Sequence, residues 1–248
     1  MKKYNNEPLI VSFTTYPARY HVATKFIYQL LNKQTFTNFH LVATIFKEDY
    51  EKISEELKLF IDHNLLEVII GDLDLGPHLK YFYTMQKYPN LPIMTLDDDK
   101  FYPSETVQNF YNAFMNCKEK CVLAPIAPCL KKNGDKLVPY NEWCNGENRL
   151  KPGEISYLAM AEGFGGVLYP PFCFHNLKEE LPELSKCIKH DDLFLKVLEI
   201  KNKVPVMAFS TTPGWDIEQN LFGLNRNMKY RYDVTNHFEK ELLKAFEL

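Results

Sequence analysis

The sequence contains one stretch that decides the fold we expect: Ile93-Met94-Thr95-Leu96-Asp97-Asp98-Asp99-Lys100-Phe101-Tyr102-Pro103. An apolar run of strand length ends abruptly in three consecutive carboxylates, and a proline closes the segment. This pattern predicts a buried strand that delivers acidic side chains to its C-terminal edge, where open α/β sheets bind their ligands. Because adjacent carboxylates repel one another, we expect a cation among them, and such oxygen ligands suit Mg²⁺ or Mn²⁺.

Segments on both sides of this stretch alternate between strand-like and helix-like spacing of apolar residues. We predict further strands at residues 9–14, 41–46, 66–70, 121–126 and 204–209, and a glycine turn running into a short strand within residues 162–171. Amphipathic helices separate most of them. This alternation implies right-handed crossovers and a mostly parallel sheet. We therefore expect an α/β protein with a Rossmann-type central sheet flanked by helices, in a single domain with a C-terminal extension.

Composition narrows the classes of function. The 248 residues are 46% hydrophobic and 25% charged, as in an ordinary soluble globular protein. The formal net charge of −3 gives no reason to expect nucleic acid as a partner. No apolar stretch approaches the ~18 residues of a membrane span. None of the six cysteines forms a Cys-x-x-Cys pair, so we expect reduced thiols in a cytoplasmic protein.

A second acidic pair, Asp191-Asp192, follows His190 at the predicted start of a helix. One carboxylate at this position is explained by capping, because acids interact favourably with the helix dipole. Two exceed what a cap requires. A carboxylate held near a metal-bearing acidic site would instead make a general base for an incoming hydroxyl. Both interpretations remain open from the residues alone.

The glycines Gly163, Gly165 and Gly166 predict either a tight turn or a place where the backbone approaches a ligand closely. They do not form a dinucleotide fingerprint, because no Gly-x-Gly-x-x-Gly follows the first strand. The segment Gly71-x-x-x-x-Gly76 continues with proline and is therefore no Walker loop. The backbone-approach interpretation places these glycines at a ligand.

Three further side chains are candidates for the same sheet edge. Arg19 and Lys80 follow the first and third predicted strands, and together they could neutralise a diphosphate. Each alone is better explained as a surface charge. His237, in the tail, is either structural or a third ligand for Mn²⁺.

Four motifs occur in order along the chain and resemble bacterial glycosyltransferases of the GT-A fold that build cell-surface polysaccharide such as lipopolysaccharide. They cover roughly residues 9–200, and the Asp-x-Asp element within them is weakly specific alone. The four are Thr14-Thr15-Tyr16-Pro17-Ala18-Arg19, Leu96-Asp97-Asp98-Asp99-x-x-Tyr102-Pro103, Gly165-Gly166-Val167-Leu168-Tyr169-Pro170-Pro171 and Asp191-Asp192-Leu193-Phe194-Leu195.

The resemblance implies a metal-dependent hexosyltransferase that moves a sugar from a nucleotide diphosphate sugar, expected to be a UDP-sugar, to a hydroxyl of a cell-surface glycan, with inversion. A nucleotidyltransferase is the rival enzyme class, but it usually has a glycine-rich, basic loop after its first strand, and this chain has only Arg19 there. A non-catalytic glycan-binding module is the other alternative, and it would not need adjacent acids at two sheet edges.

The resemblance also implies roles for single residues. Asp192 is expected to be the catalytic base, with Asp191 as the alternative. The metal, Mn²⁺ or Mg²⁺, is expected on Asp97 and Asp99, with His237 as the third ligand on its chemistry alone, because residues 212–248 match no motif of the family. The nucleotide sugar is expected to contact Thr14, Tyr16, Arg19, Lys80, Asp97, Asp98, Gly165 and Gly166.

The expected organisation is a catalytic part over residues 1–211 and a tail over 212–248 that packs on it. Within the first, residues 9–103 are expected to bind the nucleotide and residues 104–211 to face the acceptor. Residues 131–153 are a predicted hairpin excursion and candidate lid, with Tyr140 and Trp143 as candidate contacts. The final helix carries Phe238 and Leu242, which predict packing on the domain or, alternatively, a peripheral contact with the inner membrane.

Overall fold

The strands of the molecule begin with a six-residue segment whose side chains are almost all buried, as expected where helices cover both faces of a sheet. The computed structural model describes residues 9–143, 147–217 and 228–248. The strands in these residues are β1 (Leu9–Thr14), β2 (Phe39–Phe46), β3 (Glu67–Gly71), β4 (Ile93–Thr95), β5 (Lys100–Phe101), β6 (Val122–Ala124), β7 (Lys132–Asn133), β8 (Lys136–Leu137), β9 (Ile155–Ser156), β10 (Val167–Tyr169), β11 (Val206–Ala208) and β12 (Trp215–Asp216).

Helices connect most of these strands. The α-helices in the described residues are α1 (Tyr20–Lys33), α2 (Lys47–Tyr50), α3 (Glu55–Asp62), α4 (Leu79–Lys87), α5 (Thr106–Asn116), α6 (Tyr140–Trp143), α7 (Leu181–Leu184), α8 (Asp191–Lys201), α9 (Met228–His237) and α10 (Glu239–Leu243). Short 3₁₀ turns at Pro17–Arg19, Gly76–His78 and Gly163–Gly165 precede α1, α4 and β10.

Eight strands form the central sheet in the order β3-β2-β1-β4-β10-β6-β11-β9. Neighbouring strands from β3 to β4 run parallel, and so do β6 and β11, whereas β10 and the edge strand β9 run antiparallel to their neighbours. The predicted mostly parallel Rossmann-type sheet is therefore confirmed.

The reversed strand β10 has a consequence for the site. Since it runs against β4, it begins at the edge where β4 ends, and Val167 pairs with Thr95. The glycine turn before β10 therefore lies at the same edge as the three aspartates after β4. Gly166 makes this entry possible with a φ of +83°, a conformation that glycine adopts without strain.

Two hydrophobic clusters cover opposite faces of the sheet, as alternate residues of β10 show. Leu168 belongs to a cluster with Phe26 of α1 and Phe110 of α5. Its neighbours Val167 and Tyr169 belong to the other cluster, which includes residues of α4, α8 and the C-terminal helices. Helices therefore flank both faces, and α8 lies between the sheet and the C-terminal helices.

The C-terminal helices pack on the domain. Phe238 and Leu242 are buried, and the Phe238 ring lies edge-on to Phe194 of α8 at 6.1 Å. The apolar residues that suggested a membrane contact are thus covered by protein. Among the described helices, we find none with the length and apolar character needed to cross a membrane.

One local prediction needs correction. The predicted hairpin is present as β7 and β8, but Trp143 is fully buried, with its indole N–H donating to the Val138 carbonyl at 3.1 Å. Trp143 is therefore a core residue and not a surface contact.

Candidate active site

A cavity of about 580 Å³ opens at the edge of the sheet where the parallel strands end. Its walls come from the segments after β1, β3 and β4, from the turn before β10, and from the start of α8. Most of the residues predicted from the sequence line it: Thr14, Tyr16, Arg19, Lys80, Asp97, Asp98, Asp99, Asp191 and Asp192. Side chains far apart in the sequence thus face one space.

Arg19 binds two aspartates of the acidic run after β4. The 3₁₀ turn that follows β1 places its guanidinium between two carboxylates, with Nη1 2.8 Å from Asp98 Oδ1 and Nη2 in contact with Asp99 Oδ2. Burial raises the pKa of Asp98 to about 7, because Arg19 offsets only part of the desolvation. Burial, together with the neighbouring Asp97, also raises the pKa of Asp99.

Lys80 joins the two acidic runs. It lies in the first turn of α4, 5% exposed, with Nζ 3.0 Å from Asp97 Oδ1 and 2.8 Å from Asp191 Oδ2. The Ser12 hydroxyl of β1 donates to the Lys80 carbonyl at 2.7 Å and so anchors the start of the helix to the sheet. Although burial opposes the charge, nearby carboxylates including Asp191 and Asp97 raise the pKa of Lys80 well above its usual range.

The adjacent acids at the start of α8 have opposite electrostatic surroundings. Burial alone would raise the pKa of Asp191, but the Lys80 ammonium together with His78 and His190 outweighs it and lowers that pKa below its usual range. Burial and the charge of Asp191 raise the pKa of Asp192 well above its usual range. Asp192 Oδ1 accepts a hydrogen bond from the Gly163 N–H at 3.0 Å. Of the pair, Asp192 therefore holds a proton more tightly, which makes it the better candidate for a general base.

Of the three clustered glycines, Gly163 is the one that lines the cavity. A Cβ atom there would lie 2.8 Å from Asp192 Oδ1 and 3.1 Å from Lys80 Nζ, so any side chain would displace both groups. The prediction that Gly165 and Gly166 contact the ligand is not supported by their placement. Added Cβ atoms at these positions would instead meet Pro125 and Leu96, and neither glycine lines the cavity. The sequence therefore predicted the right segment but the wrong glycines, because Gly163 and Phe164 line the cavity in place of Gly165 and Gly166.

His237 does not reach the acidic run. Its Nε2 lies 3.2 Å from Glu183 Oε2, in a separate surface pocket beside α7 and the C-terminal helices. This placement removes the predicted third metal ligand. Over residues 9–143, 147–217 and 228–248, no three His, Cys, Asp or Glu side chains are grouped so that they could enclose a metal ion.

The charges of the cavity nevertheless fit a divalent cation that is shared with a ligand. Among its described lining residues are eight aspartates and four basic side chains. Phosphates would be repelled by this excess of acid unless a cation accompanied them. Asp97 and Asp99 supply two carboxylates at the cavity wall, the donor set that Mg²⁺ or Mn²⁺ uses when phosphate oxygens complete its coordination.

The sequence did not reveal several lining residues. Lys100 and Asp216 meet through the pairing of β5 with β12, with Lys100 Nζ 2.5 Å from Asp216 Oδ1. Arg231 reaches the cavity from α9. Lys100 directly follows the three aspartates, so its position in the sequence could have suggested it. Asp216 and Arg231 could not be predicted, because no local pattern in β12 or α9 indicates where these elements pack.

Comparisons with family models and with curated proteins find no match. Solved structures do match. The chain superposes on S. aureus TarS 1–349 with a TM-score of 0.56 at 15% identity, covering 96% of this chain and 66% of that one. For the TarS 1–349 complex with UDP-GlcNAc the TM-score is 0.54 at 15% identity, covering 96% and 67%. Against the longer S. aureus TarS structure the TM-score is 0.55 at 17% identity, and the chain spans 40% of its length.

These similarities establish the fold. The GT-A-like architecture expected from the sequence is confirmed, and the chain spans about two thirds of TarS 1–349. The inositol-1-phosphate CTP transferase from T. maritima also matches, but with a TM-score of 0.45 at 10% identity, which is too low to support an inference.

Proposed function

We propose that this protein is a metal-dependent glycosyltransferase that transfers a sugar from a UDP-sugar to a hydroxyl group of a cell-surface glycan. One observation carries the proposal: Lys80 contacts both Asp97 and Asp191, so the acids after β4 and the acids of α8 face one cavity. A phosphate-and-metal site and a general base then lie side by side, as sugar transfer requires. The TarS structures with UDP and with UDP-GlcNAc support this choice of donor.

The donor would bind along the acidic run after β4. In this proposal Thr14, Tyr16 and Arg19 contact the nucleotide, and Asp97 and Asp99 hold Mg²⁺ or Mn²⁺. The cation would supply Lewis acidity that offsets the charge on the departing diphosphate. Residues 9–103 thus form the nucleotide side and residues 104–211 the acceptor side, while the tail contributes Asp216 and Arg231 to the wall.

Asp192 would act on the acceptor. Its carboxylate takes the proton of the acceptor hydroxyl while that oxygen attacks the anomeric carbon from the face opposite the diphosphate. One carbon–oxygen bond forms, the bond to the diphosphate breaks, and the sugar is transferred with inversion. The Gly163 N–H holds the Asp192 side chain in place, and Asp191 cannot easily replace it because Lys80 binds it. The raised pKa makes Asp192 a better proton acceptor than an ordinary aspartate.

Donor binding is tested first by thermal unfolding with a panel of UDP-sugars, with and without Mn²⁺. We expect at least one UDP-sugar to raise the Tm, by more with Mn²⁺ than without, since a ligand that binds only the folded state stabilises it. Asp99→Ala should abolish the Mn²⁺-dependent part. No shift with any UDP-sugar, or an unchanged response in Asp99→Ala, would contradict the proposal. Pyrophosphate release from UTP or CTP with a sugar 1-phosphate would instead identify a nucleotidyltransferase.

The assignment of the base is tested by Asp192→Asn. We expect this variant to keep the Tm increase with the UDP-sugar but to release UDP about 10²–10⁴-fold more slowly in the presence of glycoside acceptors, because it cannot accept the proton. Turnover at the parental rate would show that Asp192 is not the base. Binding without turnover in the parent protein, for every donor, would favour a glycan-binding module.

A further inference from the structure

Arg231 is a cation of the cavity wall that the proposed reaction does not use. It lies on α9 and faces the cavity together with Arg19, Lys80 and Lys100. Each of those three cations forms an ion pair with a cavity aspartate. Within the described parts of the chain, Arg231 forms no such pair. Its guanidinium group instead packs over an aromatic ring, with the guanidinium carbon 5.3 Å from the centre of the Tyr140 ring.

The surroundings of Arg231 place it on the acceptor side. Its charge lowers the pKa of two groups, Glu162 and His190, although burial is the larger influence on both. These two residues directly precede Gly163 and Asp191, so Arg231 lies beside the segments that hold the proposed base. The carboxylates after β4, in contrast, are already bound by Arg19 and Lys80.

The contact with Tyr140 leaves most of the binding capacity of Arg231 unused. A cation over an aromatic face is attracted by the ring's quadrupole, and this contact does not occupy the N–H groups at the guanidinium edge. Those five donors form a planar fork that matches a carboxylate or a phosphate. Tyr140 is itself buried at 5% exposure and so supports the guanidinium from one side.

We infer that Arg231 binds an anionic group, a carboxylate or a phosphate, carried by the sugar acceptor, and that it thereby selects acidic over neutral acceptors. This inference rests on the proposed function, because it needs the α8 side of the cavity to hold the acceptor. A neutral glycan would leave the guanidinium N–H groups without a direct ion pair, whereas an acidic one would form a bidentate ion pair with them.

The test uses three small probes with UDP and Mn²⁺ present: methyl β-glucoside, methyl β-glucuronide and glucose 6-phosphate. Binding is measured by saturation-transfer NMR titration. We expect the parent protein to bind one or both charged probes at least about tenfold more tightly than the neutral one, which a single ion pair can supply. Arg231→Gln should remove this preference, and Arg231→Lys should restore part of it. The stronger charged probe distinguishes a carboxylate from a phosphate.

Arg149→Gln is the matched control, because Arg149 also lowers the pKa of Glu162 but is exposed and does not line the cavity. It should keep the parental preference. The inference is overturned if neither charged probe binds better than the neutral one, if Arg231→Gln keeps the preference, or if inorganic phosphate competes as well as both sugars. The Tm increase with UDP-sugars is measured separately. If the parent protein shows no such increase, the proposed function fails, whatever the acceptor probes show.

Discussion

The two acidic runs of the cavity contain the same residue type but differ in how their buried member is stabilised. Asp98 and Asp191 are 2% and 6% exposed, and each contacts a cation, Arg19 or Lys80. Burial nevertheless raises the pKa of Asp98 to about 7, whereas Lys80 lowers the pKa of Asp191. An ion pair therefore does not by itself determine the protonation of a buried acid.

The neighbours explain the difference. Asp98 lies between Asp97 and Asp99, and both raise its pKa. Arg19 is shared between Asp98 and Asp99, so its charge is divided within one run. Asp191 has a single acidic neighbour in its run, and the buried Lys80 contacts it directly. Burial raises the pKa of both acids, and crowding of like charges adds to it in the first run. In the second run Lys80, His78 and His190 together outweigh burial and favour the ionised form of Asp191.

Of the variants that test this comparison, removal of the Lys80 charge should change the free energy of unfolding most. In Lys80→Met, Asp191 loses its buried cation, and we expect a loss of about 3–5 kcal/mol in the free energy of unfolding at pH 7, together with loss of transfer. Urea denaturation measures the stability. The double variant Lys80→Met/Asp191→Asn should regain part of it, because the uncompensated charge is then removed.

Lys87→Met is the control for that experiment. Lys87 lies at the exposed end of the same helix, α4, with its Nζ 2.8 Å from Glu67 Oε1 of β3. Exposed ion pairs contribute only about 0–1 kcal/mol to the free energy of unfolding. Equal losses in Lys80→Met and Lys87→Met would show that the ion pairs of Lys80 do not hold the two runs together.

The pH dependence of the free energy of unfolding should show an effect of intermediate size. It tests whether folding raises the pKa of Asp98 in the first acidic run. A carboxyl group whose pKa rises on folding binds its proton more tightly in the folded state, so its contribution to stability is full at low pH. That contribution falls as the pH rises from the unfolded value near 4 to the folded value of about 7 for Asp98. Between pH 5 and pH 8 we expect Asp98 to account for a decrease of about 2–3 kcal/mol.

The comparison protein for this measurement is Asp98→Asn. Its free energy of unfolding should fall less between pH 5 and pH 8 than that of the parent protein, as measured by urea denaturation at both values. If the parent protein instead gains stability over this range relative to Asp98→Asn, then Arg19 outweighs burial, and the two acidic runs behave alike.

Gly163→Ala should have the smallest effect. It tests whether Gly163 positions Asp192 in the second acidic run. Since the added Cβ would lie 2.8 Å from Asp192 Oδ1, the carboxylate must shift, and we expect kcat to fall about tenfold, or about 1.4 kcal/mol, with little change in UDP-sugar affinity. Gly165→Ala is the contrasting variant. Its Cβ would press on Pro125 at 3.0 Å, which should lower the Tm but leave the pH profile of kcat in place. Identical pH profiles and rates in both variants would argue against positioning by Gly163.

The first half of the fold could be predicted closely. The strand predicted at residues 9–14 is observed as Leu9–Thr14, and the one predicted at 66–70 as Glu67–Gly71. Strands covered by helices on both faces appear in a sequence as short continuous apolar runs. The acids also follow their strand directly, so predicting the strand placed Asp97 and its neighbours at the sheet edge.

The rest depended on contacts between distant parts of the chain. A histidine is a chemically suitable ligand, but the position of His237 is set by how α9 and α10 pack on α8, and no local pattern encodes that packing. Arg231 reached the cavity for the same reason. Among the glycines, residue type predicted close approach, yet only the three-dimensional arrangement shows that Gly163 faces Asp192 while Gly166 faces Leu96 and Phe110.

The reversed direction of β10 also affects how such a protein can diversify. The chain leaves β10 at the edge opposite the cavity, so insertions after Tyr169 would lengthen a distant surface. The chain before β10 passes the hairpin of β7 and β8 and then returns to the cavity at Gly163. Changes at Phe164, an exposed side chain of the cavity wall in the turn before β10, can alter what the cavity admits while every strand register of the central sheet is kept. Evolution, or a designed library, would therefore find new substrates more readily there than within the acidic runs.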